Sequence, residues 1–210
     1  MRLLISYDAM TIKVVGICGG HKRGGASELF CLEALKSCEE AGASTDFIHL
    51  ADYKIEPCQA CFDCAPQRAG RCVLEDDFEE VSKRILEADG LIVCSPVYFG
   101  LVSGKLKNFM DRTIALRVNG FKLRNKVGGA IAVGAARGGG QETTLLTIIV
   151  WMLTHDMIVV GNGAPGAHIG AVCQARHPAD APRDERGILE ARKVGRRVFE
   201  AAELIARSQA

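Results

Sequence analysis

The chain has 210 residues, 48% apolar and 24% charged, which suits one globular domain with its own core and excludes a fibrous or disordered chain. A formal net charge of +1 gives no basic field of the kind that draws a protein to nucleic acid or a membrane surface, so small or redox partners are expected. Nine cysteines are an odd number for a secreted disulfide scaffold, and with no apolar run near the roughly 20 residues of a membrane span and no leader-like start they point to a reducing, cytoplasmic setting.

Residues 1–9 precede the first clear strand, and Met10 is an alternative start; they are given no function. Apolar, β-rich runs then alternate with segments of helical period, the pattern of a parallel sheet wrapped by helices. Strands are predicted at 11–17, 44–50, 90–94, 127–134 and 157–161. Phe78, Val81, Ile85 and Leu86 recur at helical spacing, as do Val102, Leu106, Phe109 and Met110, so each segment has one apolar face for the sheet. Helices are also expected after Ser27, over 141–154 and over 186–207, five in all, while 162–182 reads as a long Gly/Pro/Ala loop. The whole chain, 1–210, is read as a single α/β domain.

Three segments follow predicted strands, where an open parallel sheet binds its ligands. After the first strand come Cys18, Gly20, Lys22, Arg23, Gly24, Gly25 and Ser27, and a helix. A strand, a glycine-rich turn and a helix N-terminus make an anion site, because free N–H groups and the positive end of the helix dipole face the ligand. The glycine spacing is not that of a dinucleotide fingerprint. Ser95, Pro96, Val97, Tyr98 and Phe99 follow the third strand, and Ala135, Arg137, Gly138 and Gly139 follow the fourth. Set against this is the plain reading of solvated glycine turns.

Within 51–75, the loop after the second strand, Cys58, Cys61, Cys64 and Cys72 form C-x2-C-x2-C-x7-C. Successive C-x2-C steps let one loop wrap a cluster, and four local thiolates match the need of a [4Fe-4S] centre. Four thiolates also satisfy zinc, and free thiols are the third reading. Cys31, Cys38 and Cys94 are expected to act as small buried hydrophobes, and Cys173 to sit in the late loop. The histidines are scattered, and no catalytic Ser-His-Asp set or paired carboxylates stand out. The helix over 141–154 is apolar almost all round, which calls for cover on more than one side, as at a subunit interface.

Together Asp76-Asp77, the 87–90 stretch, Ser95 to Gly100, Leu106 to Arg112 and Gly138 to Glu142 resemble the NADPH-dependent FMN reductase group of the flavodoxin-like superfamily, and within it the iron–sulfur flavoproteins. The resemblance implies a flavodoxin-like three-layer sandwich with a five-stranded parallel sheet of order 2-1-3-4-5 and helices on both faces. It also implies that the first loop holds the FMN phosphate, that the other two flank the flavin ring, and that the chain assembles as a homodimer or homotetramer. The family's side-chain phosphate donors are missing at Gly20 and Ala26, which leaves the backbone, Lys22 and Ser27. In that strand order the second strand lies beside the first, so the cysteine loop is expected next to the phosphate loop. Two redox readings follow: electron transfer from a ferredoxin-like donor or NAD(P)H through FMN and a cluster, or NAD(P)H-dependent reduction of FMN or quinones with the cysteines merely structural. A zinc- or redox-sensing module is the non-enzymatic rival.

Overall fold

A computed structural model describes residues 11–209; the residues assigned to an N-terminal extension, and Met10, lie outside that range. Strand β1 (Lys13–Cys18) is followed by helix α1 (Ala26–Glu40), β2 (Ser44–His49), α2 (Phe78–Leu86), β3 (Gly90–Pro96), α3 (Gly104–Arg112) and α4 (Ile114–Val118). Then come β4 (Val127–Gly134), α5 (Gln141–Thr154), β5 (Ile158–Val160), β6 (Ala171–Gln174) and α6 (Glu185–Gln209). All strand pairings are parallel, and the order β2-β1-β3-β4-β5 is the one expected.

β1, β3 and β4 are buried along almost their whole length, as strands covered on both faces must be. Alternate residues serve opposite faces. Val14, Ile92 and Ile131 pack with Phe30 of α1 and Val194 and Val198 of α6, whereas Val15, Leu91 and Val93 pack with Ile85 of α2, Phe109 of α3 and Met152 of α5. None of the described helices is long and apolar enough to cross a membrane.

The fifth strand departs from expectation by coming in two pieces. β5 pairs with the start of β4 through Ile158↔Val127, the chain leaves the sheet after Val160, and β6 resumes on the end of β4 through Ala171↔Ile131. Asn162 closes the excursion, its N–H donating to the His168 carbonyl and its Oδ1 accepting from the His168 N–H. Re-entry falls at Gly170, where a Cβ would lie 2.5 Å from the Ala130 carbonyl oxygen. The segment 162–182 therefore contains a strand and a short 3-10 turn (Pro178–Arg183), and Cys173 is a buried strand residue. A sixth helix, α4, continues α3 after a break at Thr113. There the Thr113 hydroxyl donates to the Met110 carbonyl and accepts from Trp151 Nε1 of α5 at 2.9 Å, with His155 Nε2 also 2.9 Å away.

Candidate functional site: a flavin cleft and a cysteine cavity

The register aligns Cys18 with Cys94 and Pro96 with Val133, so β1, β3 and β4 end on one edge and release their loops side by side. Side chains then lock the loops together. Ser103 caps α3, accepting from the Leu106 N–H, while its hydroxyl donates to the Gly19 carbonyl at 2.5 Å and its own N–H donates to Ser95 Oγ at 3.0 Å. Gln141, fully buried, fixes the third loop by accepting from the Gly139 N–H and donating to the Ala136 carbonyl. Thr143 donates to the Gly100 carbonyl at 2.6 Å. Gly140 has φ 100°, and a Cβ there would lie 2.8 Å from Gly100 Cα, so the second and third loops approach this closely only because the position is glycine.

The phosphate loop ends at Gly25, which caps α1 without a side-chain hydrogen bond, leaving first-turn N–H groups for an anion. Its charged residues divide. Arg23 is bound to Asp52 at 2.7 Å and to Glu28 at 2.9 Å, which compensates its charge, whereas no carboxylate among the described residues pairs with Lys22. Cys18 lies beneath the loop, fully buried, and burial pushes its thiol up to about 12, so it is a neutral wall. Ser27 is buried against Cys94, whose thiol donates to the Ser27 carbonyl. His49, at the end of β2, accepts the Ala51 N–H at Nδ1; its buried Nε2 makes no hydrogen bond, with Glu28 Oε2 3.7 Å away, and lies 3.2 Å from where a Gly20 Cβ would stand.

In the second loop, Tyr98 and Leu101 pair across a tight turn that exposes Phe99 entirely, and Tyr98 meets the His21 ring edge-on at 5.0 Å. The Val97 N–H donates to the Val133 carbonyl, holding the loop to β4. In the third loop, Gly138 takes left-handed backbone at φ 70° and the Gly139 N–H is held by Gln141, but Arg137 turns toward Asp184 and the Val172 carbonyl. The structure thus brings together the three loops, with Arg23 and Arg137 committed to carboxylates. Ser103, Gln141 and Thr143 escaped the sequence reading, because their partners are loop carbonyls and N–H groups.

The cysteine loop begins against the phosphate loop, as expected, with Asp52 bound to Arg23. Cys58, Cys61, Cys64 and Cys72 line one cavity of about 370 Å³, closed by Asp111, Arg112, Ile114 and Ala115, with no residue of the three cofactor loops. The loop leaves the sheet beside the phosphate loop but carries its cysteines to the C-terminal end of α3. Ser103 holds the flavin loops at the other end, nine residues away, roughly 13 Å along the helix axis at 1.5 Å per residue.

Whether the residues fit a cluster is answered by the cavity itself. Among the described residues no group of three or more His, Cys, Asp or Glu side chains is drawn together around a point that would hold one metal ion. The four cysteines instead line the cavity together, and burial, then the neighbouring Cys72, Cys58 and Cys61, push the Cys64 thiol up. Ala60 and Phe62, flanking Cys61, adopt left-handed backbone at φ 52° and 59°, a cost of order 1 kcal/mol or more each that a loop shaped for a ligand sustains. Asn108 donates to the Ile55 carbonyl, Arg112 to that of Glu56 and Asn119 to that of Cys64 at 2.7 Å, so α3 and its continuation fasten the loop. Four cysteines on one cavity are the donor set that a thiolate-held centre requires.

Fold and cleft together define a flavodoxin-like, FMN-dependent oxidoreductase. Residues 12–171 match the NADPH-dependent FMN reductase family, and the chain belongs to it, among the iron–sulfur flavoproteins. An iron–sulfur flavoprotein of Methanocaldococcus jannaschii is 47% identical over 194 residues, covering 92% of this chain and 99% of its own. One of Methanosarcina thermophila is 36% identical over 198 residues, covering 94% and 99%. Among solved structures, the NAD(P)H:quinone oxidoreductase of Methanothermobacter marburgensis superposes with a TM-score of 0.69 at 19% identity, covering 90% of this chain and 96% of that one, a likeness of fold.

Proposed function

We propose that the protein binds FMN in the three-loop cleft and one [4Fe-4S] cluster on Cys58, Cys61, Cys64 and Cys72, and passes electrons between a donor such as a ferredoxin or NAD(P)H and a small acceptor. The observation that carries the reading is the single cavity walled by all four cysteines, fastened to the helix whose other end holds the flavin loops. When bound, FMN exchanges two electrons as a hydride or one at a time, and the cluster exchanges one. The chain's own part is to hold the phosphate with α1 N–H groups and Lys22, to fix the ring's surroundings through Ser103, Gln141 and Thr143, and to hold four thiolates beside α3. Anaerobic purification with flavin, iron and sulfide analysis tests it. About four iron and about four sulfide per FMN are expected; FMN without iron would leave an NAD(P)H-dependent FMN or quinone reductase with structural cysteines, and zinc would overturn the cluster.

Lys22→Ala is expected to weaken FMN binding by about 1.5 to 3 kcal/mol, roughly 10- to 150-fold, the worth of a charge-assisted hydrogen bond, as read by fluorescence titration of the apoprotein. An unchanged affinity would remove Lys22 from the phosphate site.

The outer face of α5 supports a homo-oligomer. Leu146, Val150 and Leu153 are 48%, 56% and 57% exposed, and Ile158 extends the strip. A second copy of the chain would cover them, and sedimentation is expected to give a dimer or tetramer that Val150→Lys weakens. A monomer at micromolar concentration would refute this.

A further inference from the structure

Arg112 ends α3 with its side chain 1% exposed against Asp76, one of the most buried ion pairs in the chain. Nη1 donates to Asp76 Oδ2 at 2.6 Å and to the Glu56 carbonyl at 3.0 Å, Nη2 donates to Asp76 Oδ1 at 3.1 Å, and the Phe78 ring lies 4.7 Å from the guanidinium carbon. Asp76 in turn accepts the N–H groups of Glu56 and Phe78. The plane of the guanidinium is therefore fixed from several sides.

Two donors are left over, Nε–H and the second hydrogen of Nη2. Arg112 Nε is buried with no hydrogen-bond partner, an arrangement that costs roughly 1 to 3 kcal/mol or more unless something accepts from it. The residue lines the same cavity as the four cysteines, with Cys72 its near neighbour among them. Because Asp76 already balances the arginine's charge, what the guanidinium can add to the cavity is a directed N–H.

We propose that Arg112 is the positioning residue of the cysteine site, holding a buried Nε–H for the Cys72 sulfur once that sulfur is a metal-bound thiolate. The inference rests on the cluster reading above. Reduction of a cluster by one electron adds one negative charge, shared among its sulfurs, with no proton transferred and no ligand bond broken. A hydrogen bond to a ligating sulfur is then stronger in the reduced state, so Arg112 raises the midpoint potential.

The test is a dithionite titration of Arg112→Lys and of the double variant Arg112→Gln/Asp76→Asn, in the full FMN-loaded protein. Lysine keeps the cation beside Asp76 but cannot present Nε–H; the double variant replaces the ion pair with neutral groups and leaves no buried charge unpaired. The electron paramagnetic resonance signal of the reduced cluster is followed alongside the flavin absorbance of the same sample. In both variants the ratio of reduced to oxidised cluster at a fixed potential is expected to fall about tenfold, equivalent to 59 mV for one electron, with the flavin midpoint unmoved. An unchanged cluster midpoint in Arg112→Lys would overturn the proposal, as would a lowered midpoint accompanied by an equal shift of the flavin. A parent protein without iron and sulfide would defeat the cluster reading itself, and is distinguished because it is measured before any variant is compared.

Discussion

Cys64→Ser is expected to strip the protein of most of its iron while leaving FMN bound. Cys64 is the most buried of the four cavity cysteines, at 7% exposure, and the Asn119 amide holds its carbonyl, so serine would occupy the place with an oxygen that stays protonated and ligates iron poorly. The flavin loops share no residue with the cavity and are tied to one another by Ser103, Gln141 and Thr143. Iron and flavin contents of parent and variant, measured anaerobically from the same preparation, decide it. Iron retained in full would exclude Cys64 as a ligand; FMN lost together with iron would mean that cavity and cleft fold as one unit.

Acid is expected to destabilise the fold through His155. Thr113 Oγ1 gives its proton to the Met110 carbonyl and accepts from Trp151, so His155 Nε2 must be the donor of the third bond, which leaves Nδ1 bare and buried without a partner. Burial, with a smaller push from Arg117, lowers this imidazole to about 4. The unfolded chain takes up the proton near pH 6.5, whereas the folded one excludes it until about pH 4. Stability from this group is therefore complete above pH 6.5, declines as pH falls through the window, and levels off below 4, a loss of about 3 kcal/mol. His155→Gln keeps an N–H for Thr113 and cannot charge, so it should remove that part of the slope in urea unfolding compared at pH 7 and pH 4.5. An undiminished slope would assign the acid sensitivity to other groups.

How much of this was legible in the sequence follows from the range of each interaction. The central strands read clearly because β1, β3 and β4 are buried on both faces, and α2 and α3 because one face of each is apolar. β6 did not, since four residues, Ala171–Gln174, carry too little periodicity. The cysteine set announced itself by spacing, but where it lies did not: Asn119 holds Cys64 from 55 positions away and Arg112 reaches Asp76 across 36. Likewise Arg23 and Arg137 look like free cations beside a phosphate site until Asp52 and Asp184, 29 and 47 positions distant, fold against them. Local pattern sees elements and motifs, and it does not see which charges tertiary contacts have already used.

The divided fifth strand also governs how the sheet meets other chains. An uninterrupted outer strand offers a row of free N–H and C=O groups on which a second polypeptide can lay itself, the usual beginning of strand-to-strand aggregation. Here that border is three residues, an excursion of about ten, then four more, so no stretch is long enough to template such a partner. Contact on this side of the molecule is left to side chains, which can be matched to one partner, in place of a backbone ladder that would accept almost any.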